Sequence, residues 1–404
     1  MKKLIVLFLF ASVATGLFAQ ENSQWRGKNR DGIYHETGLL KQWPETGPQL
    51  LWSFDGLGEG HTSVAAANDK IYITGMTDSI GTLYVFDVQG KLLNKKAYGL
   101  EWNTNWNGTR STVNVNDGKL YIFSGRGVLS CLDEKTLNVV WSKDVLNDFD
   151  GRNIMFGLTE SPLIVDDVIY ITPGGETYNM VALNKNTGEL IWSSKGIGKP
   201  STYCSPLYIS GLDIPVVVNA IDSCLVAFNA KTGEKLWDVE QKNPHGHSPN
   251  TPYFEKGLLF TSSGGGLGSM QLRLTPCGHN FEKVWTNELD NKMGGFVKIG
   301  DYVYSSGEKN RYWYCVDWKT GETKYKDNQL GVGNVIANVT GNDAMLYCYS
   351  DKGDLALVKA TPEKFDIISK FKITLGTDQH WAHPVIYKGV LYVRHGNTLM
   401  AYKI

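Results

Sequence analysis

The sequence is poor in cysteine and proline and has no excess of either charge. Only 6 cysteines and 13 prolines occur in 404 residues, and 40 basic side chains are balanced by 41 acidic ones. Six cysteines in a chain of this length do not form a disulfide scaffold, and the lack of any Cys-x-x-Cys pair excludes a zinc ribbon. The balanced charge gives no electrostatic basis for binding nucleic acid or an anionic membrane surface. We therefore expect neither of those partners.

Long amphipathic segments and the common catalytic motifs are also missing. The chain contains no extended run at helical periodicity, no Gly-x-Ser-x-Gly, no phosphate-binding loop and no His-Glu-x-x-His. Short alternating segments rich in Val, Ile, Leu and Tyr, bounded by Gly, Asn and Asp, are typical of β-strands. We therefore predict an all-β protein without a recognisable nucleophile or nucleotide site.

The longest apolar stretch lies at the start of the chain. Lys2 and Lys3 precede apolar residues at 4–13, and small residues lead to an expected cleavage after Ala19. A membrane helix is the alternative, but the stretch is short for one. No cysteine occurs before Cys131, so no lipid-anchor cysteine follows the signal. We predict a signal peptide at 1–19 and a mature protein that is soluble, exported to the periplasm, not inserted in a membrane, and monomeric.

An internal repeat dominates the rest of the chain. Eleven residues that begin at Ala182 and end at Trp192 return, with few changes, between Ala227 and Trp237, 45 residues later. Weaker copies end at Trp141 and Tyr325. Each unit contains an apolar strand, a second strand ending near tyrosine, a third strand, a Lys-Thr-Gly turn and a strand ending in tryptophan. Four antiparallel strands in roughly 45 residues are typical of a propeller blade.

Counting the second strands predicts eight such units. Their anchor residues are Tyr72, Tyr121, Tyr170, Val217, Leu259, Tyr304, Tyr347 and Tyr392. The last unit lacks its fourth strand, and a matching segment stands at residues 50–54. Pairing that segment with the last unit would close the ring and leave no open edge. We therefore predict a single eight-bladed β-propeller over 47–404, preceded by an N-terminal arm at 20–46.

The recurring tryptophans are interpreted as packing residues. They take the same place in each unit, beside the Thr-Gly turn, where a ring can fill the space between neighbouring blades. The residues are Trp52, Trp141, Trp192, Trp237 and Trp285. Cys131 and Cys315 stand where other units have alanine, which predicts buried thiols.

These features resemble the tryptophan-docking repeat of the quinoprotein alcohol dehydrogenase-like propellers, also called PQQ-like repeat proteins. The resemblance covers about 47–404, and short motifs before it, such as Gln24-Trp25-Arg26-Gly27 and Trp43-Pro44, are similar to exported bacterial members. It implies an eight-bladed propeller. The family contains enzymes that hold pyrroloquinoline quinone with calcium, and smaller propellers without a cofactor.

The chain departs from the pattern of the enzymes. The resemblance implies a ring formed by two adjacent cysteines against the quinone, and no two cysteines are adjacent here. The family's calcium-binding Glu, Asn and Asp cannot be placed on matching motifs. We therefore expect no resident cofactor and no pyrroloquinoline quinone.

The loop that leads into each innermost strand, called here the axial loop, is the place where a propeller binds ligands. Most of these loops end in a Ser-Pro-like step, and the residues before that step should surround the axis. The candidates for ligand binding in these loops are His61, Arg110, Glu160, Tyr203, His247, Asn250, Trp381 and His383. Arg110 and Glu160 belong to successive blades, so they could pair with each other or bind a ligand.

Histidines are concentrated in the same loops. His61, His245, His247, His380 and His383 all precede innermost strands. Neutral imidazoles that converge on one axis could bind a divalent metal or act as acid–base groups. The alternative is that they are unliganded and make local hydrogen bonds. His245, His247, His380 and His383 are the metal-ligand candidates.

The loop before Arg110 also lacks strand alternation and contains Trp102 and Trp106 among amides and hydroxyls. Flat aromatic rings beside such groups suit carbohydrate recognition. The alternative is a lid that packs over the channel.

Two classes of function therefore follow from the sequence. The first is a non-catalytic binding or scaffold protein that recognises a protein or glycan at the channel mouth. The second is an enzyme, either a metal-assisted lyase or hydrolase acting on a saccharide through the histidines, or a quinone-dependent oxidoreductase.

Overall fold

The computed structural model describes residues 23–243 and 248–404. The predicted signal peptide, His245 and His247 lie outside the described residues. The first two strands are β1 (Ile33–Tyr34) and β2 (Gln49–Phe54). Among the described residues, no helix is long and apolar enough to cross a membrane.

Eight four-stranded antiparallel sheets follow one another along the chain, as the repeat predicts. Blade 1 contains β3 (Ala65–Ala67), β4 (Lys70–Thr77), β5 (Ile80–Asp87) and β6 (Leu92–Leu100). Blade 2 contains β7 (Asn114–Asn116), β8 (Lys119–Phe123), β9 (Val128–Asp133) and β10 (Val139–Asp144), followed by the short helix α1 (Val145–Asp148). Blade 3 contains β11 (Leu163–Val165), β12 (Val168–Ile171), β13 (Tyr178–Asn184) and β14 (Leu190–Lys195). Blade 4 contains β15 (Leu207–Ile209), β16 (Val216–Ile221), β17 (Cys224–Asn229) and β18 (Lys235–Glu240).

The second half of the ring repeats this order. Blade 5 contains β19 (Tyr253–Glu255), β20 (Leu258–Ser263), β21 (Gly268–Leu274) and β22 (Phe281–Asn287). Blade 6 contains β23 (Phe296–Ile299), β24 (Tyr302–Ser306), β25 (Trp313–Asp317) and β26 (Thr323–Asp327). Blade 7 contains β27 (Gly333–Thr340), β28 (Asp343–Ser350), β29 (Asp354–Lys359) and β30 (Asp366–Lys372). Blade 8 contains β31 (Val385–Tyr387), β32 (Val390–His395) and β33 (Thr398–Lys403).

The ring closes through the N-terminal strand, as predicted. Strand β2 pairs antiparallel with β33 and places Trp52 opposite Ala401. Blade 8 therefore takes its outer strand from the start of the chain and its three inner strands from the end. The first strands of neighbouring blades, such as β3 and β7 or β23 and β27, contact one another around the axis.

In five of the eight blades a tryptophan ring docks the blade on the next one, which confirms the predicted packing role of these residues. The indole N–H of Trp192 in blade 3 donates to the carbonyl of Ala230 in blade 4 at 2.9 Å. Gly233 of that blade, at φ +75°, lies under the ring, where a Cβ would come within 2.4 Å of the indole. The same bond to the following blade is made by Trp52, Trp141, Trp237 and Trp285. Cys131 and Cys315 are fully buried, as predicted.

The N-terminal arm passes through the axial channel. Strand β1 pairs in parallel with β27, the innermost strand of blade 7, so this blade has five strands. At the far end, the Glu36 carboxylate accepts hydrogen bonds from the backbone N–H groups of Lys388 and Gly389, at 2.7 and 2.6 Å. The arm therefore fills the channel that an empty ring of eight blades would leave open.

Candidate functional site

A cavity of about 370 Å³ opens at the mouth of the propeller, where the axial loops meet. We call this cavity the cup. Seven blades contribute axial-loop residues to its wall, and the arm contributes Trp25. Five aromatic side chains line it, namely Trp25, Trp106, Phe156, Tyr203 and Trp381. The polar side chains of its wall include His61, Arg110, Lys292 and His383.

The structure thus brings six of the sequence-derived candidates into one cavity. They are His61, Trp106, Arg110, Tyr203, Trp381 and His383. They meet because each precedes an innermost strand or, for Trp106, belongs to the loop that leads to one. Of the predicted site residues outside the cup, Trp102, Glu160, Asn250 and His380 are described, and His245 and His247 are not.

Trp106 and Trp381 form one aromatic wall. Their ring centroids lie 5.3 Å apart, and the His61 ring lies 4.9 Å from Trp381. The amide of Asn334 in β27 donates to the Trp381 carbonyl at 2.9 Å and holds its loop. Trp106 has φ +46° and is 49% exposed. A bulky residue in this left-handed conformation is strained, and such strain is concentrated at functional sites.

His61 is part of this wall, and its two ring nitrogens are shielded from solvent. Both ring nitrogens lie near the backbone of Trp106 and Asn107 but make no hydrogen bond of ordinary geometry with any described residue. Burial, followed by the charges of Arg110 and Arg394, lowers the pKa of His61 to about 3. The imidazole is therefore neutral at pH 7 and offers one donor and one acceptor.

Arg110 holds the loop that carries Trp106. Its guanidinium donates to the carbonyls of Asn105, at 3.0 Å, and Trp106. Burial lowers the pKa of Arg110 to about 10, so the side chain stays charged at pH 7. Below it, burial raises the pKa of Glu101 to about 7. This carboxyl, which accepts a hydrogen bond from Tyr98 at 2.6 Å, is therefore only partly ionised near neutral pH.

The sequence left open a pair between Arg110 and Glu160. Both residues are described, and no ion pair joins them. Glu160 is fully buried outside the cup wall, where one oxygen accepts from the Thr172 N–H at 3.1 Å and the other contacts no described donor. Its electrostatic partner is Arg30 of the arm, and burial raises the pKa of Glu160 to about 8. The carboxyl is thus protonated at pH 7, because its burial outweighs the attraction of Arg30.

Trp102 and Asn250 also lie outside the cup, although both were ligand-binding candidates. The Trp102 ring is buried against Gly157, and its N–H donates to the Asn105 side chain at 2.9 Å. This contact makes it a packing residue beneath its loop. The Asn250 amide donates to the carbonyls of Ser262 and Asn291, at 3.2 and 2.8 Å, and joins two axial loops.

The floor of the cup is made by the arm. Trp25 meets the His383 ring edge-on at 5.6 Å. His383 lies between the Arg26 guanidinium, 3.0 Å from Nδ1, and the Met293 carbonyl, 3.1 Å from Nε2. Burial, followed by Arg26, lowers the pKa of His383 to about 3. Arg26 also donates to the carbonyls of Val335 and Phe296, so it ties the arm to the innermost strands.

The described histidines do not form a metal site. The two ring nitrogens of His383 face Arg26 and Met293, and Nδ1 of His380 lies 2.5 Å from the Tyr349 hydroxyl. The His380 ring also stacks on His395 at 3.7 Å, outside the cup. Among residues 23–243 and 248–404, no three His, Cys, Asp or Glu side chains are grouped as metal ligands. The metal hypothesis therefore has no support from the described residues.

Comparison with known proteins places the chain in a family. A family model named PQQ_2, described as outer membrane protein assembly factor BamB, matches residues 81–327, which is more than half of the chain. The chain belongs to the PQQ_2 family. The resemblance to PQQ-like repeat propellers, inferred from the sequence, is thereby confirmed.

Curated relatives of this PQQ_2 chain include an assembly factor and an alcohol dehydrogenase. The outer membrane protein assembly factor BamB of Shewanella oneidensis is 25% identical over 209 residues, 48% of this chain and 48% of that protein. The quinoprotein alcohol dehydrogenase PedH of Pseudomonas putida is 27% identical over 251 residues, 57% of this chain and 40% of that protein. The matches therefore span about half, or less, of the length of these curated relatives.

Solved structures of both kinds share the PQQ_2 propeller. BamB from Moraxella catarrhalis superposes with a TM-score of 0.64 at 14% identity, covering 88% of this chain and 100% of that one. Quinohemoprotein alcohol dehydrogenase from Comamonas testosteroni superposes with a TM-score of 0.68 at 12% identity, covering 95% and 80%. At these identities the likeness shows the fold alone.

The quinoprotein relatives raise the question of whether the cup fits pyrroloquinoline quinone with calcium. Calcium prefers carboxylate and other oxygen ligands, and no described carboxylate lines the cup. Cys204, in the axial loop of blade 4, is a single buried thiol whose contacts are the carbonyls of Ser205 and Asn250. No second cysteine adjoins it, so the ring of adjacent cysteines cannot form. The residues present do not fit this cofactor, and no quinone chemistry is derived for the chain.

Trp25, Phe156 and Lys292 line the cup but were not among the candidates selected from the sequence. Trp25 belongs to the Gln-Trp-Arg-Gly motif, which stands outside the repeats and was not assigned to the mouth. Phe156 and Lys292 lie in axial loops, but not directly before the Ser-Pro-like steps, where most of the candidates were selected. The aromatic character of Trp25 and Phe156, in segments without strand alternation, is the signal that could have found them.

Proposed function

We propose that this protein is an exported, non-catalytic propeller that binds a segment of a partner protein in the cup. The observation that carries the proposal is the cup itself, with five aromatic side chains, a strained and half-exposed Trp106, and a floor closed by the arm. Aromatic side chains that converge in a concave site supply most of the binding energy in protein recognition. Membership of a family described as outer membrane protein assembly factor BamB supports a partner in envelope assembly.

The location and organisation of the protein are part of the same proposal. A signal peptide at 1–19 would export it, and an arm at 20–46 would precede the propeller at 47–404. The arm is then a component of the site, because Trp25 forms the floor of the cup.

Site-specific photocrosslinking tests the proposal. A benzophenone amino acid replaces Met293, which lines the cup and is 38% exposed. The matched control replaces Leu40, which is 43% exposed near the opposite end of the channel. We expect the Met293 probe, and not the Leu40 probe, to capture a defined envelope protein in cells. The additional substitution Trp381→Ala should abolish the capture while the melting temperature stays near that of the parent.

Other outcomes would contradict the proposal. Capture at Leu40 alone would place the interface elsewhere. Binding of an oligosaccharide by the purified protein, lost in Trp381→Ala, would favour the glycan-binding hypothesis, which the Trp106 and Trp381 rings also permit.

A further inference from the structure

The chemistry of the cup indicates which kind of protein segment it receives. The inference rests on the proposed function and concerns the charge and shape of the ligand. Its walls carry five aromatic rings among the described residues, and Arg110 and His61 form a polar cluster beside the rings of Trp106 and Trp381. The two classes of group lie side by side, so a ligand that satisfies both must carry an apolar side chain next to a polar one.

Arg110 is the cation in the cup that lacks an ionised partner at close range. Its described hydrogen bonds go to two neutral carbonyls, of Asn105 and Trp106. The carboxyl beneath it, Glu101, is turned to Tyr98 and to backbone N–H groups, and its burial favours the protonated form. By contrast, Lys292 on another part of the wall is paired with Glu308 at 2.8 Å. Among the described lining residues, Arg110 thus carries a positive charge that only the partly ionised Glu101 beneath it offsets.

His61 is a second group in the same cluster that awaits a partner. Its ring lines the cup, while both ring nitrogens are shielded beside the backbone of Trp106 and Asn107 and make no hydrogen bond of ordinary geometry to a described residue. A polar group whose hydrogen-bonding capacity is not fully used is destabilising, and a ligand that bonds to the ring would remove this cost. A carboxylate can accept a hydrogen bond from the neutral imidazole and from the guanidinium at once.

The space beside the cup fits an extended chain rather than a compact molecule. A second cavity of about 180 Å³ adjoins it and shares Lys292, Met293 and Trp381 in its wall. Three glycines, Gly294, Gly307 and Gly333, also line this neighbour, and their missing side chains let the chain's own backbone pack closely around it. Its charged groups are paired, Arg311 with Asp351 at 2.6 Å and Lys292 with Glu308 at 2.8 Å. A peptide could therefore cross from the cup into a neutral, glycine-lined extension.

We propose that the cup binds an extended protein segment in which an acidic residue adjoins a large apolar or aromatic residue. The carboxylate occupies the Arg110–His61 cluster, the apolar side chain packs against Trp106, Trp381 and Tyr203, and the following backbone enters the adjoining cavity. No described carboxylate lines the cup to repel such a ligand.

Calorimetry on the full-length mature protein tests this with capped hexapeptides that differ at one or two positions. The central pair is Phe-Asp in the first peptide, Phe-Asn in the second, Phe-Lys in the third and Ser-Asp in the fourth, with serine elsewhere. We expect the Phe-Asp peptide to bind about tenfold more tightly than Phe-Asn, because a charge-assisted bond replaces a neutral one. Phe-Lys and Ser-Asp should bind more weakly still. The advantage of Phe-Asp over Phe-Asn should shrink at high salt, because salt screens the partly exposed charges.

Substitutions at two arginines separate the site from the overall charge. Arg110→Gln should remove the preference for Phe-Asp over Phe-Asn, and Arg110→Lys should restore part of it. Arg273→Gln removes one positive charge at an exposed ion pair with Glu282 on the outer strands of blade 5, and it should leave the preference unchanged. The comparison among peptides on the wild-type protein remains decisive even if Arg110→Gln loosens its loop.

The failure of this inference can be told apart from failure of the proposed function. Equal affinity for Phe-Asp and Phe-Asn, a preference for Phe-Lys, or no binding of any peptide would overturn the inference. If the Met293 probe still captured a protein partner, the proposed function would stand even though the inference about an acidic and apolar segment had failed. Displacement of the Phe-Asp peptide by an oligosaccharide would overturn both.

Discussion

At the scale of single residues, the tryptophans divide into those that hold the fold and those that line the cup. Trp192 is buried between blades, and its N–H is bonded to the Ala230 carbonyl. Trp106 is half exposed at the mouth and contacts only another ring of the cup wall, Trp381, among the described aromatic side chains. The same residue type thus has a packing role where the repeat places it and a surface role where the repeat is interrupted.

This division predicts different costs for removing the two rings. Trp192→Ala should lower the free energy of unfolding by roughly 3–5 kcal/mol, because it empties a packed site and removes one of the hydrogen bonds to the Ala230 carbonyl, which keeps the bond from the Tyr170 hydroxyl. Trp106→Ala should change it by less than about 1 kcal/mol, because the ring is half exposed. Urea denaturation followed by circular dichroism compares the two variants. Equal losses would show that Trp106 also supports the fold.

At the scale of elements, the arm completes a blade that lacks its own docking ring. Five blades carry a tryptophan on their outermost strand at the position that in blade 7 lies opposite Leu357. In blade 7 this residue is Ser369. Trp43 of the arm lies there instead. Its backbone N–H donates to the Ser369 hydroxyl at 3.0 Å, and its ring contacts Tyr347 at 5.9 Å. Trp192 contacts Tyr170 of its own blade at the same distance. The arm therefore supplies the missing ring from a distant part of the sequence.

The substitution Trp43→Ala tests this role of the arm. It should cost about 3–5 kcal/mol of stability, as much as loss of a docking tryptophan inside the repeat, because the ring is almost fully buried. Leu40→Ala, at an exposed arm residue, is the matched control and should have little effect. A Trp43→Ala protein as stable as the control would mean that the arm is only loosely attached to blade 7.

The elements could be predicted from the sequence because each one is local. The anchor tyrosines and the Thr-Gly turns recur at a constant spacing, so the number of blades and the closing strand follow from counting. The course of the arm could not be predicted in the same way, because residues 23–48 have no internal period. Its bonds, such as those of Arg26 to Phe296 and Val335, join residues that are far apart in the sequence.

At the scale of the whole molecule, four buried titratable groups near the axis make stability depend on pH. His61 and His383 have pKa values lowered by burial to about 3. Glu101 and Glu160 have pKa values raised by burial to about 7 and about 8. All four are neutral in the folded protein near pH 6. The unfolded chain exposes them to water, where histidine and glutamate titrate near 6.5 and 4.5.

The two histidines and the two glutamates change the stability in opposite directions as the pH rises. Below pH 6.5 the unfolded chain binds protons at the histidines that the folded protein does not, so stability falls as the pH drops toward 3. Above pH 4.5 the unfolded chain releases protons from the glutamates that the folded protein keeps, so stability falls as the pH rises toward 7 to 8. Between pH 4.5 and pH 6.5 the histidine and glutamate contributions to the pH dependence of stability cancel. For these groups we therefore expect a plateau in that window and a loss of stability on either side.

Glu160→Gln should remove part of the loss at alkaline pH. Each buried glutamate contributes about 1.4 kcal/mol per pH unit between its two pKa values. The melting temperature of the wild type should be lower at pH 8 than at pH 6, and the difference should be smaller in Glu160→Gln, because the amide resembles the protonated acid. Glu189→Gln, at an exposed site, should keep the wild-type difference. A wild type that is more stable at pH 8 than at pH 6 would refute this account.

The candidate site was only partly accessible from the sequence. The rule that axial loops surround the mouth selected His61, Trp106, Arg110, Tyr203, Trp381 and His383, and all six line the cup. The same rule selected Glu160 and Asn250, whose side chains turn instead toward the backbone of neighbouring strands and loops. The position of a residue within the repeat determines which loop it belongs to. The direction of its side chain depends on which donors and acceptors the neighbouring blades and the arm provide.

The sequence by itself determined the all-β class, the eight blades, the docking tryptophans and the closure of the ring, because these depend on local patterns that repeat. The tertiary structure alone decided that the arm fills the channel, that Trp43 replaces a missing ring, and that an aromatic cup remains above Trp25. Those features arise from contacts between segments with no shared period, and from burial that changes the charge of groups such as Glu160. The physical reason is that repetition sets how blades pack, whereas the axis is filled by side chains that differ in every blade.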